Sequence, residues 1–372
     1  MGSSLYFIVA GTLVAGAGNS LLTKFQDNQC VRNCLDPDIS QHRLFEQPAL
    51  QSLQMFVGEF SVYLVYYFVY LRKRRDYVPL SDGHHTTTTI FDNIALAIPA
   101  VCDLLGTTLL NVGLVYTPVS IYQMTRGSIV LFVAILSVIF LKRKITKLEW
   151  ISLTMVTLGI VIVGLSGSQA AGHPDLDEDP KLIIFGILLI VLAELIQAGQ
   201  FVVEEHILSK HPIVPLKLVY IEGFYGSTIL ITVMFILNFI LKSILPPKQF
   251  IDSPFNIGES FSQLFASKAV LLSSICIMIS IATFNYCGIS LTHRISATAR
   301  STVDTSRTLL VWLFALIMGW ESFKWLQFLG FSILVFGTLC FNGVLEPELW
   351  SWVPKKLKEE VIHEVVEPVE RF

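Results

Sequence analysis

The sequence predicts an all-α polytopic membrane protein, with ten transmembrane helices arranged as two inverted five-helix repeats. Three observations predict it. First, the 372 residues are 53% hydrophobic, with a mean hydropathy of +0.63. Second, only 15% of residues are charged, against about 25% in an ordinary soluble domain. The apolar residues gather into runs of about 20, the length that crosses a hydrocarbon core of roughly 30 Å. Third, the two halves of the chain resemble each other weakly. A shift of 178 places Gly159 on Gly337, Leu148 on Leu326, Val133 on Val311 and Ile139 on Ile317, and sets Arg126 against Asp304.

The spans fall in order at 4–25, 48–71, 91–112, 117–141, 147–167, 182–205, 214–241, 268–290, 296–319 and 322–343. The first has no basic residue before it and many similar runs after it, so it reads as a retained helix and not a cleaved signal peptide. Asn19 lies there among Ala15, Gly16, Ala17 and Gly18, which favour close backbone packing. The second carries Glu59, with Tyr63 one turn on. In the third, Pro99 reads as a kink that neighbouring helices accommodate. Pro118 opens the fourth, where its missing N–H costs least. Glu222 precedes Gly223 near the start of the seventh, and Pro246 and Pro247 help to end it. The organisation is then a first repeat over 1–167, an acidic linker over 168–181, a second repeat over 182–344 and a tail over 345–372. An odd helix count per repeat inverts the second copy.

Orientation follows from the lysines and arginines. Fifteen of the 26 lie in the even-numbered loops and the tail, and eight in the opposite loops; Arg126, Arg300 and Arg307 are inside spans. Both termini are therefore expected in the cytosol. The acidic fifth loop, with Asp175, Asp177, Glu178 and Asp179, then faces a lumen or the exterior. Trp350 and Trp352, before the tail lysines, suit a membrane surface. Cys30 and Cys34 lie in a polar loop with three residues between them. Two unpaired thiols are the favoured reading there, with a local disulfide the alternative if the loop meets an oxidising lumen.

The informative residues are charges inside apolar spans. Facing lipid, each costs roughly 2.5–3.5 kcal/mol, so such groups turn toward a bundle interior or a hydrated path. In span four, Tyr122, Gln123 and Arg126 share a face beside Gly127. Arg126 either grips a carboxylate or phosphate with its planar fork or acts as a structural strut. In span nine, Ser296, Arg300, Asp304 and Arg307 form one stripe, and Asp304 can pair with either arginine. Span three carries Asp103, Thr107 and Asn111 four apart; Asp103 either partners Arg126 or accepts a coupling proton. Span six places Glu194 and Gln197 near its centre, while Glu204 and Glu205 read as solvated groups at its cytosolic end. The candidate solute-binding set is Arg126, Tyr122, Gln123, Asp103, Asn111, Glu194, Gln197, Arg300, Asp304, Arg307 and Glu59. Three arginines against five carboxylates leave both an anionic and a cationic solute open.

Other classes are disfavoured. A net charge of −3 gives no reason to expect nucleic acid. No HExxH, P-loop, Gly-x-Ser-x-Gly or Cys/His metal set occurs, so no catalysis, metal or cofactor is expected. The partners implied are a small polar organic solute and the lipid bilayer; the sequence specifies no oligomeric state.

Several polar segments carry a family resemblance: GEF at 58–60, PAVCDLLGTT at 99–108, YQMTRG at 122–127, EGFYG at 222–226, NYCGIS at 285–290, SATARSTVDTSRT at 296–308 and WESF at 320–323. Together and in this order they resemble the drug/metabolite transporter superfamily. Within it they resemble the member 6-like proteins of solute carrier family 35, subfamily F, which are nucleotide-sugar-transporter-like. The resemblance covers about residues 4–345. It implies two inverted five-helix repeats, a central cavity and alternating access. It also implies an endolysosomal membrane, with Golgi or mitochondrial membranes as alternatives. Tyr77–Leu80 fits a Tyr-x-x-hydrophobic sorting pattern. The chain lacks the lysine-rich late-helix signatures associated with well-characterised nucleotide-sugar carriers. The expected function is secondary-active transport or exchange of a polar organic solute, with nucleotide sugars or other organic anions as candidates. The alternatives are a proton-coupled carrier of cations, amino acids or peptides, and a non-transporting membrane scaffold.

Overall fold

A computed structural model describes residues 2–34, 42–45, 47–71, 96–117, 122, 125–168, 180–210, 213–251, 253–318, 323–341, 345, 347–351 and 353–354. The described helices are α1 (Gly2–Asp27), α2 (Pro48–Tyr66), α3 (Ile98–Tyr116), α4 (Ile129–Phe140), α5 (Lys147–Ser168) and α6 (Pro180–Lys210). They continue with α7 (Pro215–Ile244), α8 (Pro247–Ile251), α9 (Ile257–Ala266), α10 (Lys268–Arg294), α11 (Ala297–Ile317) and α12 (Trp325–Phe341). A two-stranded hairpin, β1 (Cys30–Arg32) with β2 (Arg43–Leu44), joins α1 to α2. Among the described residues, α1, α2, α6, α7 and α10 contain segments long and apolar enough to cross a membrane. Helix α11 is excluded on composition by its own Arg300, Asp304 and Arg307.

The helices form two compact units. The first comprises Met1–Leu104 and Ile207–His293. Within it α2 packs on α7. Gly223 lies against the backbone of Glu59 and Phe60, and Gly226 against the ring of Phe56. Residue number rises along one helix as it falls along the other, so the pair is antiparallel. On α2's other side, a Cβ on Gly58 would stand 2.5 Å from the Met278 carbonyl oxygen, so α10 approaches as closely as a backbone can. The hairpin seats on α9 and α10. Val31, Phe45, Leu50, Leu264 and Val270 form a small core, Arg32 pairs with Glu259 at 2.6 Å, and Gln26 donates to Ser274 Oγ at 2.7 Å.

The second unit comprises Leu105–His206 and Arg294–Phe372. Its core gathers Val130, Val133, Leu153, Val156, Ala198 and Leu334. Here α5 packs along α12. A Cβ on Gly159 would stand 2.7 Å from the Gly330 carbonyl oxygen and 2.9 Å from Leu334 Cβ; one on Gly337 would stand 2.9 Å from the Ser152 carbonyl oxygen and 3.0 Å from Val156. Helix α5 begins with a capping box, in which Thr146 N–H donates to Glu149 Oε2 (2.8 Å) and Glu149 N–H to Thr146 Oγ1 (3.2 Å).

Four expectations need correction. Pro99 sits in the first turn of α3 and introduces no kink, because α3 starts at Ile98, where a missing N–H is harmless. The fourth span is not one continuous helix: a turn at Gly127–Ser128 separates Arg126 from α4, with Ser128 N–H donating to Thr125 O (3.0 Å). The connection after α7 holds two short helices, α8 and α9, that hydropathy alone did not reveal. Cys30 and Cys34 form a disulfide, with Cα atoms 5.8 Å apart. Asn33, in the left-handed region at φ 56°, turns the chain between them. The 169–179 stretch of the linker, the Tyr77–Leu80 pattern and the tail from 355 lie outside the described residues.

Two outcomes test this packing. Gly159→Leu forces α5 from α12 and is expected to lower stability in detergent by about 1–3 kcal/mol. Gly199→Ala meets no described residue within 4 Å and is expected to melt at or above the wild-type temperature, by up to about 1 kcal/mol of helix propensity. Differential alkylation should find Cys30 and Cys34 oxidised, and replacing both with serine should cost about 2 kcal/mol for so short a loop.

Candidate functional site

Helix α11 begins at a built N-terminus. Ser296 Oγ accepts from Ala299 N–H at 3.1 Å and Glu205 Oε2 accepts from Ala297 N–H at 2.7 Å. A carboxylate suits the positive end of a helix dipole. One turn in, Arg300 forms a buried ion pair with Glu204 on α6. Gln200 donates to the same carboxylate at 3.0 Å, and the guanidinium lies 4.1 Å from the centroid of the Phe201 ring, a favourable cation–π position. Glu204 and Glu205 are thus not solvated end groups. Glu204 is completely buried, because Arg300 could not enter the bundle without it. Ser296 belongs to the cap and not to the helical stripe.

A second charged group lies deeper in the same unit. Asp304 does not take Arg300; it pairs with Arg307 at 3.2 Å. On α6, Glu194 faces Arg126, with Oε1 4.0 Å from the guanidinium Nε. Tyr122 hydrogen-bonds Arg126, and Arg126, Glu194, Asp304 and Arg307 lie within electrostatic reach of one another. The burial is unequal. The Glu194 side chain is 1% exposed and that of Arg126 34%. Among the described residues neither Glu194 oxygen has a hydrogen-bond partner, an arrangement that native interiors rarely leave in place. Arg126 owes its reach to the turn at Gly127, which is pressed against Ile160 of α5.

The other candidates are placed elsewhere. Gln197, one turn from Glu194, lays its side chain over Gly106 of α3, where an added Cβ would stand 2.7 Å from it. Asn111 is exposed on the same helix, and Gln123 lies outside the described residues. Asp103 and Glu59 belong to the first unit. Asp103 is half-buried; Glu59 is buried and accepts from Asn285 Nδ2 at 2.5 Å. Sequence reasoning quoted Asn285 only inside a motif and missed its role; a lone polar residue on an apolar helix face was the available signal. It also missed an aromatic cavity of about 230 Å³ between α2 and α7, lined by Phe60, Tyr63, Tyr220, Ile221, Phe224 and Tyr225. Among the described residues, no group of three or more His, Cys, Asp or Glu side chains could hold a metal ion.

Apolar helices with charges held at their centres are the arrangement of a membrane transporter, not of an enzyme. The chain belongs to the UAA transporter family, whose family model matches residues 88–344. It is 37% identical to solute carrier family 35 member F6 of Rattus norvegicus over 349 residues, covering 92% of this chain and 90% of that one. A shorter match, 30% identical over 89 residues, relates 24% of the chain to 23% of the UDP-galactose translocator of Mus musculus. A solved crystal structure shares the fold with a TM-score of 0.60 at 10% identity, covering 92% of this chain and 97% of that chain.

The Arg300–Glu204 pair yields a test of its own. Glu204→Ala leaves a buried guanidinium without its counter-charge and is expected to cost about 3–5 kcal/mol. The double variant Arg300→Met with Glu204→Leu removes both charges and should recover most of that loss in a detergent melt.

Proposed function

We propose that the protein is a secondary-active transporter or exchanger of a polar organic anion, working by alternating access across an endomembrane, with nucleotide sugars as the leading solute class. The observation that carries this reading is Arg126: a charged side chain in an apolar span, 34% exposed along its length, whose counter-charge is only loosely engaged at 4.0 Å. Planar guanidinium forks suit phosphate and carboxylate. The UDP-galactose translocators that match part of the chain are named for a nucleotide-sugar solute. The resemblance carried by the polar segments and the Tyr77–Leu80 sequence pattern are the grounds for an endolysosomal membrane over Golgi or mitochondrial ones.

In this reading, residues 1–167 and 182–344 are two copies of an inverted five-helix repeat joined by 168–181. Helix contacts support it. The pairs α2 with α7, α4 with α11 and α5 with α12 each join a helix to its counterpart under the 178-residue shift. At the last pair the contacts are reciprocal: Gly159 meets residues 330 and 334, and Gly337 meets residues 152 and 156, their images under the same shift. A two-fold axis lying in the membrane produces such an antiparallel, self-matched contact.

A second reading, a proton-coupled carrier of cations, amino acids or peptides, draws on the deep carboxylates Glu59 and Glu194. The scaffold reading requires every intramembrane charge to be tightly paired, which Glu194 is not. Proteoliposomes loaded with UMP and offered labelled UDP-galactose, glucose 6-phosphate or UMP separate the anion reading from the other two. Arg126→Ala should retain its fold and lose roughly ten- to a hundredfold in apparent affinity, the loss of about 1.5–3 kcal/mol from a charge-assisted hydrogen bond. Wild-type protein that exchanges none of these anions overturns the anion reading.

A further inference from the structure

We propose that Glu194 couples transport to protons: an organic anion that engages Arg126 displaces Glu194 as its counter-charge, and Glu194 then takes up a proton that crosses with the anion. The inference rests on the anion reading above and adds to it the co-transported ion and the residue that carries it.

The groups facing Glu194 define the charge balance. Arg126 and Tyr122 approach from the segment before α4, Asp304 and Arg307 from α11, and Gln197 shares its helix. Helix α3 brings Leu109 and Leu110 to this side, and carries no charge between Leu105 and Tyr116. Two positive and two negative groups thus balance in the empty site. Arg307 and Asp304 neutralise each other at 3.2 Å, leaving Arg126 as the main counter-charge of Glu194. The Arg126 side chain, 34% exposed and loosely engaged at 4.0 Å, can turn to a solute; the Glu194 side chain, 1% exposed, cannot follow. Once the anion occupies Arg126, Glu194 is a buried carboxylate with no hydrogen bond to either oxygen from the described residues. Keeping it ionised would cost several kcal/mol. A proton from the aqueous side to which the site is open converts the carboxylate to the carboxylic acid and removes that cost. When the anion leaves on the far side, Arg126 returns, the carboxyl loses its proton to that side, and the balance is restored. One proton moves with each anion, and no bond other than O–H forms or breaks.

The test uses proteoliposomes and the same three probes. With wild-type protein, an inward proton gradient of about one pH unit should raise steady-state accumulation of a transported probe about tenfold, and the weakly buffered medium should lose one proton per anion taken up. Glu194→Gln imitates the protonated acid. Whatever exchange it retains should lose both the gradient response and the proton uptake. Wild-type exchange that ignores the gradient overturns the coupling and leaves the anion reading standing. So does a Glu194→Gln variant whose remaining exchange still follows the gradient. The proton count on wild-type protein decides the matter even if the variant does not fold. Exchange of none of the three probes overturns the anion reading and the coupling with it.

Discussion

The structure of the second unit depends on how α6 neutralises α11. Three charges on one apolar helix would together cost roughly 7–10 kcal/mol if they faced lipid. Arg300 is met by Glu204 and by the face of Phe201, and Arg307 by Asp304 within the helix. The first of these ties the N-terminal turn of α11 to the last turns of α6, and Glu205 reinforces it by capping the helix. A pair with almost no exposure, its carboxylate bonded by Gln200 as well as by Arg300, does not come apart without a large penalty. It therefore acts as a fixed point from which the deeper residues of both helices take their positions.

Close backbone packing complements this polar anchor. Lipid tails are as apolar as leucine, so helices in a bilayer gain little from burying apolar surface against one another. They gain by approaching closely, and glycine permits it. Gly58, Gly159, Gly223, Gly226 and Gly337 each face a neighbour at a distance that leaves no room for a side chain. Such contacts resist shear, because an ångström of sliding brings backbone against backbone. The hairpin stapled by Cys30–Cys34 serves the first unit in a similar way, holding the α1–α2 connection onto α9 through Arg32–Glu259 and a five-residue apolar core.

The helices were legible in the sequence because a 20-residue apolar run has few alternative fates. Arg126, Asp304 and Arg307 were legible because charges in such runs are expensive enough to demand a reason. Partner choice was not. Arg300 and Asp304 stand four residues apart and could have satisfied each other, but Arg300 turns to Glu204, ninety-six positions away in the chain. Local spacing cannot reveal a choice settled by which neighbouring helix offers the better-placed carboxylate. The break at Gly127–Ser128 escaped because hydrophobic content continues across it. The disulfide escaped because its geometry depends on a hairpin whose second strand lies eleven residues downstream of Arg32.

The contrast between the two arginine sites bears on function. Arg300 has a carboxylate in contact, an aromatic ring over its plane and almost no exposure; an incoming anion would have to displace all of that, and Arg300 is better suited to hold than to bind. Arg126 has a carboxylate at 4.0 Å, a phenol and an open side. A carrier needs a site whose resting interactions are weak enough for a solute to replace and strong enough to re-form when it leaves, since binding the empty and loaded states equally well would move nothing. Only the Arg126–Glu194 pair, among the ion pairs described inside the helices of this unit, has that intermediate character. Both pairs are built on α6: Glu204 near its end is held tightly by Arg300 of α11, and Glu194 near its middle is met loosely by Arg126 from the segment before α4, so rigidity lies at one end of the helix and exchangeability near its middle.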